Sequence, residues 1–249
     1  LEVLGAIDCD VVCLQELKCE TDGFPYLELE ELGWTCAVHG QKSYNGVAIL
    51  SKYPLDDVRK GLSTMEDDQS RYIEALVMAD TPIRVGGIYL PNGNPAPGQK
   101  FDYKLEWMEA LEGHARELLK TEEAFVLCGD YNVIPGVNDS WDESVWADDA
   151  LALPESRQAF RRLQNLGLTD VFETCDGRAH QYTFWDYQGG AFQKDHGSRI
   201  DHLLCSPQAA DRLTGVEIYR KARTLEKPSD HVPVIGIIEN MSTFIRPHC

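Results

Sequence analysis

The chain has 249 residues, enough for one large domain or two small ones, and its 43% hydrophobic and 26% charged residues are typical of a globular protein. No apolar run approaches the roughly 20 residues of a membrane span, no stretch has the pattern of a signal peptide, and the net charge of −18 argues against a general nucleic-acid-binding surface. The eight cysteines form no Cys-x-x-Cys pair, so we expect structural thiols in a reducing cytoplasm and no zinc site.

The first part of the chain alternates short apolar strands with turns. Residues 1–7 have the apolar spacing of the end of a helix, and residues 11–14 form an apolar strand that ends at Gln15-Glu16. Two paired strands are predicted on either side of the turn signal Asn45-Gly46. Further strands are predicted at 71–78 and at 83–90, where the second one runs into a Pro- and Gly-containing loop with Tyr89 and Asn92 at its mouth. The two strands paired across the Asn45-Gly46 turn cover residues 33–38 and 46–50.

Two helices flank the central strand of the sequence. Apolar residues recur at helical spacing from Phe101 to Leu118 and predict one long amphipathic helix. A second helix is predicted from Ser156, as its N-cap, to Leu166, with Gly167 ending it. Between them, the apolar run at residues 124–128 predicts a buried strand.

The buried strand leads into the motif Gly129-Asp130-Tyr131-Asn132. Two residues apart on an extended backbone, Asp130 and Asn132 project to the same side. A carboxylate can take a proton or orient a water molecule, and a neighbouring carboxamide can hold an oxyanion. The alternative is an Asx-rich turn that only closes the strand.

The last part of the chain carries three polar groups at strand ends. An acidic loop at 138–154 precedes an aromatic strand at 182–187, a flexible loop at 189–197 and a strand at 199–205. Asp201 lies within that apolar strand, and because an unpaired buried carboxylate is costly, we expect it to orient a partner such as a histidine. An exposed strand at 215–222 follows, and Asp230 and His231 then begin the last strand, at 232–238.

The pattern as a whole predicts one layered α/β domain with two sheets. Glu16 follows a predicted strand, and Asp230 precedes another. Although the two residues are far apart in sequence, their carboxylates could bind a hard divalent cation through oxygen. A local basic face is still possible despite the acidic total. It would consist of Lys18, Lys52, Arg71, Lys100, Lys104, Lys194, Arg199 and Lys227.

Five motifs in order make the sequence similar to exonuclease III, the abasic-site endonuclease branch of the endonuclease/exonuclease/phosphatase superfamily. They are Leu14-Gln15-Glu16, Tyr89-Leu90-Pro91-Asn92-Gly93, Gly129-Asp130-Tyr131-Asn132, Arg199-Ile200-Asp201-His202 and Ser229-Asp230-His231-Val232-Pro233, and Thr183-Phe184-Trp185-Asp186-Tyr187 narrows the match to that branch. The resemblance implies a four-layered α/β sandwich of two mixed, mostly antiparallel sheets flanked by helices.

The resemblance also implies a role for each site residue. Glu16 and Asp230 would bind Mg²⁺ or Mn²⁺, and Asp130 would position the attacking water. Asn132, Tyr89, Asn92 and His231 would hold the scissile phosphate, and Asp201 would orient His231. Phe184 and Trp185 would form the wall of a pocket for an extrahelical abasic sugar, with Arg71 and Lys18 near the DNA backbone or the metal. The expected activity is cleavage of double-stranded DNA 5′ of abasic sites, with removal of nucleotides or blocking groups from 3′ ends, by a monomer.

Two departures from the family's pattern leave alternatives open. Relatives begin with a strand that carries an asparagine near the metal, and this sequence begins in the helix that would follow it. Ser198 also stands where relatives often have a larger apolar residue beside the pocket. We treat residues 1–249 as one domain, with 241–249 as an unassigned tail. The alternatives are a phosphatase or phosphodiesterase acting on a nucleotide, lipid or inositol, and a non-catalytic DNA-binding relative.

Overall fold

A computed structural model describes residues 2–239, so Leu1 and the unassigned tail at 241–249 lie outside the described residues. Eleven strands lie within that range: β1 Val11–Leu14, β2 Thr35–His39, β3 Val47–Ser51, β4 Leu55–Lys60, β5 Tyr72–Val77, β6 Ile83–Tyr89, β7 Phe125–Asp130, β8 Thr169–Asp170, β9 Asp201–Cys205, β10 Leu213–Ile218 and β11 Val234–Ile238. The α-helices of the same range are α1 Glu2–Ala6, α2 Tyr26–Glu30, α3 Gln99–Leu119, α4 Pro154–Asn165, α5 Val171–Cys175, α6 Ala191–Lys194 and α7 Pro207–Ala210.

The largest sheet has six strands in the order β4-β5-β6-β7-β9-β8. Its strands pair antiparallel except for β6 and β7, which run parallel because α3 carries the chain back across the sheet between them. Two smaller antiparallel sheets accompany it, one with the order β1-β3-β2 and one with the pair β10-β11. The six-stranded sheet is therefore mixed and mostly antiparallel, as expected, while residues 2–239 form three sheets where two were predicted.

Helices and sheets stack in four layers. The apolar face of α3 packs with α4 against one face of the six-stranded sheet, and this cluster includes Trp107, Leu111 and Phe160. The small sheets cover the other face, where Ile49 of β3 meets Ile73 of β5. The outer face of the three-stranded sheet packs against residues of the first two helices. Each fully buried large side chain contributes about 1.5–3 kcal/mol, so α3 is held mainly by this packing.

The aromatic segment at 182–187 is not a strand, contrary to the prediction. Within it, only Phe184 forms β-bridges, one to Ser198 and one to His231. Tyr182 and Trp185 instead turn their rings into a cluster with Val232. Aromatic residues favour strands because they suit half-buried surfaces, and here the burial is reached without a regular extended backbone.

Two element boundaries also differ from the prediction. The second helix begins at Pro154 after Leu153, so Ser156 is not its N-cap, and the Ser156 hydroxyl donates to the carbonyl of Ala150 at 2.6 Å. Proline suits the first turn of a helix because its missing N–H would have no partner there. The strand predicted at 215–222 ends at Ile218, and the chain continues into a 3₁₀ turn at Arg220–Thr224.

Two predictions from composition concern the state of the cysteines and membrane-spanning segments. All seven cysteines within residues 2–239 are free thiols. In the same range, no helix combines the length and the apolar character that a membrane crossing requires.

Candidate active site

Three strand ends bring polar side chains into one row. Tyr89 at the end of β6 is in register with Asp130 at the end of β7, and Asp130 is in register with Asp201 at the start of β9. Gly129 allows this approach, because a Cβ at that position would lie 2.1 Å from the carbonyl oxygen of Ile88. The pairing of the sheet therefore brings together residues separated by more than a hundred positions in the sequence.

Asp130 and Asn132 lie side by side and also form an Asx turn. Oδ1 of Asp130 accepts from the backbone N–H of Asn132 at 2.8 Å, and Oδ2 accepts from the Asn132 carboxamide at 3.0 Å. Asn132 has a φ of 49°, a left-handed conformation that asparagine tolerates better than most residues. Asn92 donates to its side-chain oxygen at 3.1 Å. The turn and the functional pair are therefore one structure.

Asp130 is a buried carboxyl group in a charged neighbourhood. Burial raises the pKa of Asp130 to about 7, the positive charge of His231 lowers it, and the Asp201 carboxylate adds to the increase. A carboxyl group whose pKa is close to neutrality can exchange a proton with water, which suits a general base or acid.

His231 and Asp201 form a hydrogen-bonded pair. Nδ1 of His231 lies 2.9 Å and 3.1 Å from the two carboxylate oxygens of Asp201. Burial opposes the charge on the imidazole, but Asp201, Asp130 and Asp230 outweigh it and raise the pKa of His231 to about 10. Asp201, the acid within the apolar strand, therefore has the histidine partner that was expected. A residue that sequence reasoning missed supports the pair, because the Thr183 hydroxyl accepts from the backbone N–H of Asp201 at 3.2 Å.

Glu16 follows the end of β1, in the neighbouring small sheet, and reaches Tyr89. Its carboxylate accepts hydrogen bonds from the Tyr89 hydroxyl and, at 2.8 Å, from the ammonium of Lys18. Burial would raise the pKa of Glu16, but the bonds from Lys18 and Tyr89 outweigh it and lower the pKa. Arg71 lies over the Tyr89 ring at 5.0 Å and donates to the Tyr89 carbonyl at 3.2 Å. Tyr89 therefore connects the row of Tyr89, Asp130 and Asp201 to Glu16 and Arg71.

The donor set around Glu16 and Asp230 suits a small hard cation. Residues 2–239 contain no group of three or more His, Cys, Asp or Glu side chains that could hold a metal ion. Mg²⁺, however, is commonly bound by one or two carboxylates and completed by water and substrate phosphates. The hydrogen bond to Glu16 is the largest of the effects that raise the pKa of Lys18, and the negative charge of Asp230 adds to the increase. The ammonium of Lys18 is therefore paired with Glu16 at 2.8 Å, and Asp230 acts on it only through its negative charge.

The two aromatic residues predicted to form the pocket wall differ in position. Phe184 is partly exposed, and its ring lies 5.0 Å from the His231 ring. Trp185 is fully buried, with its indole N–H donating to Asp195 at 3.0 Å, so its ring does not reach the protein surface, and its place in the wall of the sugar pocket stays a prediction. Adjacent residues of an extended segment point to opposite sides, which separates the two rings. Ser198 is also buried and bridges the backbone of Phe184.

Two members of the predicted basic face lie inside the protein. Arg199 is 1% exposed and pairs with Asp139 at 2.7 Å and with Asp170 at 3.2 Å. Lys104 is 0% exposed, and its ammonium donates to the backbone carbonyls of Asn132 at 2.6 Å and Asn92 at 3.1 Å. Its role at the site was missed, although position 104 shares the apolar face of α3 with Phe101 and Met108, three residues before and four residues after it.

Comparison with known proteins finds close similarity over nearly the whole chain. The model of the endonuclease/exonuclease/phosphatase family matches residues 1–231. Exodeoxyribonuclease III of Haemophilus influenzae is 32% identical over 239 residues, which cover 90% of this chain and 88% of that protein. A 3′ phosphatase from Neisseria, solved with a product DNA hairpin, superposes with a TM-score of 0.91 at 38% identity, and an AP endonuclease from Archaeoglobus fulgidus with 0.90 at 31%. Each structural match covers 96% of this chain and 92% of the other.

Proposed function

The chain belongs to the endonuclease/exonuclease/phosphatase family as a DNA-repair hydrolase of the exonuclease III and AP endonuclease type, and we propose that it uses a divalent cation to cleave DNA 5′ of abasic sites and to clear 3′ ends. The observation that carries this proposal is the row of Tyr89, Asp130 and Asp201, closed by Asn132 and His231. This row combines a possible base with several groups that can stabilise negative charge.

Asp130 is the residue suited to the attacking water. Its carboxylate is buried, is held by two bonds from Asn132 and has a pKa of about 7. In its ionised form it can accept a proton from a water molecule that approaches the phosphorus. Because Asn132 fixes both oxygens, the carboxylate needs little rearrangement during the reaction.

His231 and the neighbouring polar groups are suited to the phosphate. A phosphodiester is a poor electrophile because its oxygens carry negative charge, and preorganised donors reduce the cost of the additional charge in the transition state. Protonated His231, oriented by Asp201, supplies one such donor. Asn92 and Tyr89 contribute an amide and a hydroxyl group at the same edge of the sheet, and Asn132 holds the Asn92 carboxamide through its side-chain oxygen at 3.1 Å.

Glu16 and Asp230 are the residues that would hold Mg²⁺ or Mn²⁺. The bound cation would offset charge on the phosphate oxygens. Lys18, which is exposed and paired with Glu16 at 2.8 Å, is suited to contact a DNA phosphate. Phe184, beside His231, is the partly exposed ring suited to pack against an extrahelical sugar.

The proposal is tested on two duplex substrates, one with an abasic-site analogue and one with a 3′-phosphate. We expect cleavage of both with Mg²⁺ and loss of both in EDTA. Glu16→Gln should raise the Mg²⁺ concentration needed for half-maximal activity because it removes a negatively charged ligand. Glu28→Gln, at an exposed position of α2, is the matched control. Unchanged cleavage in EDTA would remove the metal assignment, and no cleavage of either substrate with Mg²⁺ or Mn²⁺ would contradict the proposed activity.

A further inference from the structure

Lys104 is a buried cation bonded to the backbone of the active-site loops. It belongs to α3, on the side of the six-stranded sheet opposite the small sheets, and its side chain is fully enclosed. Its ammonium donates to the carbonyl oxygen of Asn132 at 2.6 Å and to that of Asn92 at 3.1 Å. One side chain thereby links two loops that follow different strands, β7 and β6.

The surroundings of Lys104 indicate that a lysine at this buried position has a specific role. Burial lowers the pKa of Lys104 to about 7, and only the more distant charges of Asp130 and Asp149 oppose that decrease. Enclosing an ammonium group is costly unless its hydrogen bonds are well made. A methionine or leucine at this position of an apolar helix face would avoid the cost. The bonds to the two loops are therefore the feature that distinguishes a lysine here.

Both bonded carbonyls belong to residues whose side chains contact each other in the site. The Asn92 carboxamide donates to Asn132, and the Asn132 carboxamide donates to Asp130. Asn132 adopts a left-handed conformation with a φ of 49°, and Lys104 bonds the backbone carbonyl of this same residue. Gly93, which follows Asn92, leaves room for the lysine, because a Cβ there would lie 2.7 Å from Cδ of Lys104.

We propose that Lys104 is a positioning residue that holds Asn92, Asn132 and, through Asn132, Asp130 in the arrangement required for phosphodiester hydrolysis. It does so from behind the site, by fixing the two backbone carbonyls and without touching the DNA. The role rests on the proposed function of this site. It predicts that loss of the ammonium changes the geometry of the loops more than it changes the affinity for DNA.

The first test compares Lys104→Met with Leu111→Ala, a variant on the same helix whose side chain is equally buried but packs only in the apolar core. Lys104→Met should lower Tm because it leaves two carbonyls without their donor, and Leu111→Ala should lower it because it leaves a cavity. A small displacement of positioned groups can cost about 100-fold in rate. We therefore expect Lys104→Met to lower kcat by about 10- to 100-fold, with KM changed less than about threefold, at a temperature well below Tm. Leu111→Ala should keep kcat near that of the parent under the same conditions.

Lys104→Gln provides a second variant if Lys104→Met does not fold, because the carboxamide retains N–H donors without a charge. Its kcat should lie between those of the parent and the methionine variant. Parental kcat in a folded Lys104→Met or Lys104→Gln protein would overturn the proposal, as would a kcat loss in Leu111→Ala of the same size.

An NMR measurement separates this proposal from the proposed activity. The side-chain amide resonances of Asn92 and Asn132 are recorded without DNA in the parent, in Lys104→Met and in Leu111→Ala. They should shift in the lysine variant and stay near their parental positions in the leucine variant. If the parent cleaves neither substrate while these resonances still depend on Lys104, the activity is wrong and the positioning role stands. If the resonances do not move, the positioning role is wrong whatever the parent cleaves.

Discussion

Asp201→Asn tests the most clearly formed pair in the site. The substitution keeps the shape of the side chain and removes the charge that faces Nδ1 of His231 at 2.9 Å. A hydrogen bond to a charged group contributes about 1.5–3 kcal/mol and a neutral one about 0.5–1.5 kcal/mol, so the change weakens the pair by about 1–2 kcal/mol. If His231 stabilises the transition state, kcat should fall by about 5- to 30-fold, since about 1.4 kcal/mol corresponds to tenfold in rate.

The same variant should change the pH dependence of the reaction. Burial lowers the pKa of His231, and the carboxylates, Asp201 first among them, raise it to about 10. Without the Asp201 charge that pKa must fall, so the imidazole loses its proton at a lower pH. The parent should keep its protonated donor through neutral pH, whereas the variant should lose activity at a less alkaline pH.

The assay measures kcat on the abasic duplex from about pH 6 to pH 10, the range over which a histidine and its shifted forms titrate. Asp211→Asn, at an exposed position after α7, is the matched control for the loss of one carboxylate. An Asp201→Asn variant with the parental kcat and the parental alkaline decline would refute the reasoning, because the pair would then contribute neither orientation nor charge.

Three further predictions concern Asp130, Trp185 and Phe184. Asp130→Asn should lower kcat by about 10²- to 10⁴-fold, as expected for loss of a general base, with DNA affinity changed little; single-turnover rates and a binding titration check this, and a large loss of affinity with unchanged turnover would contradict it. Trp185→Ala should lower the free energy of unfolding by about 3–5 kcal/mol in a urea titration, because the ring is fully buried. Phe184→Ala should leave stability closer to that of the parent and impair abasic-site cleavage more than removal of a 3′-phosphate. Equal losses on the two substrates would exclude Phe184 from sugar recognition.

The sequence by itself was sufficient to predict the fold class and which residues gather at the strand ends. Apolar runs followed by a polar residue predict where a strand ends, and this information is local. Asp130 at the end of one such run and Asp201 at the start of another lie in register in the structure. The cost of burying a carboxylate was enough to predict that Asp201 has a partner. The catalytic roles of these residues stay predictions.

Only the tertiary structure decided which side chains face the site and which lie behind it. Phe184 and Trp185 are neighbours with similar chemistry, but one contacts His231 and the other fills the core. Lys104 and Arg199 carry the positive charge that is typical of a DNA-binding surface, but both are buried and bonded to other groups inside the protein. Local patterns report the preference of each residue for apolar or polar surroundings. The bonding partners of a long side chain depend instead on elements that are distant in sequence and become neighbours only when the layers pack.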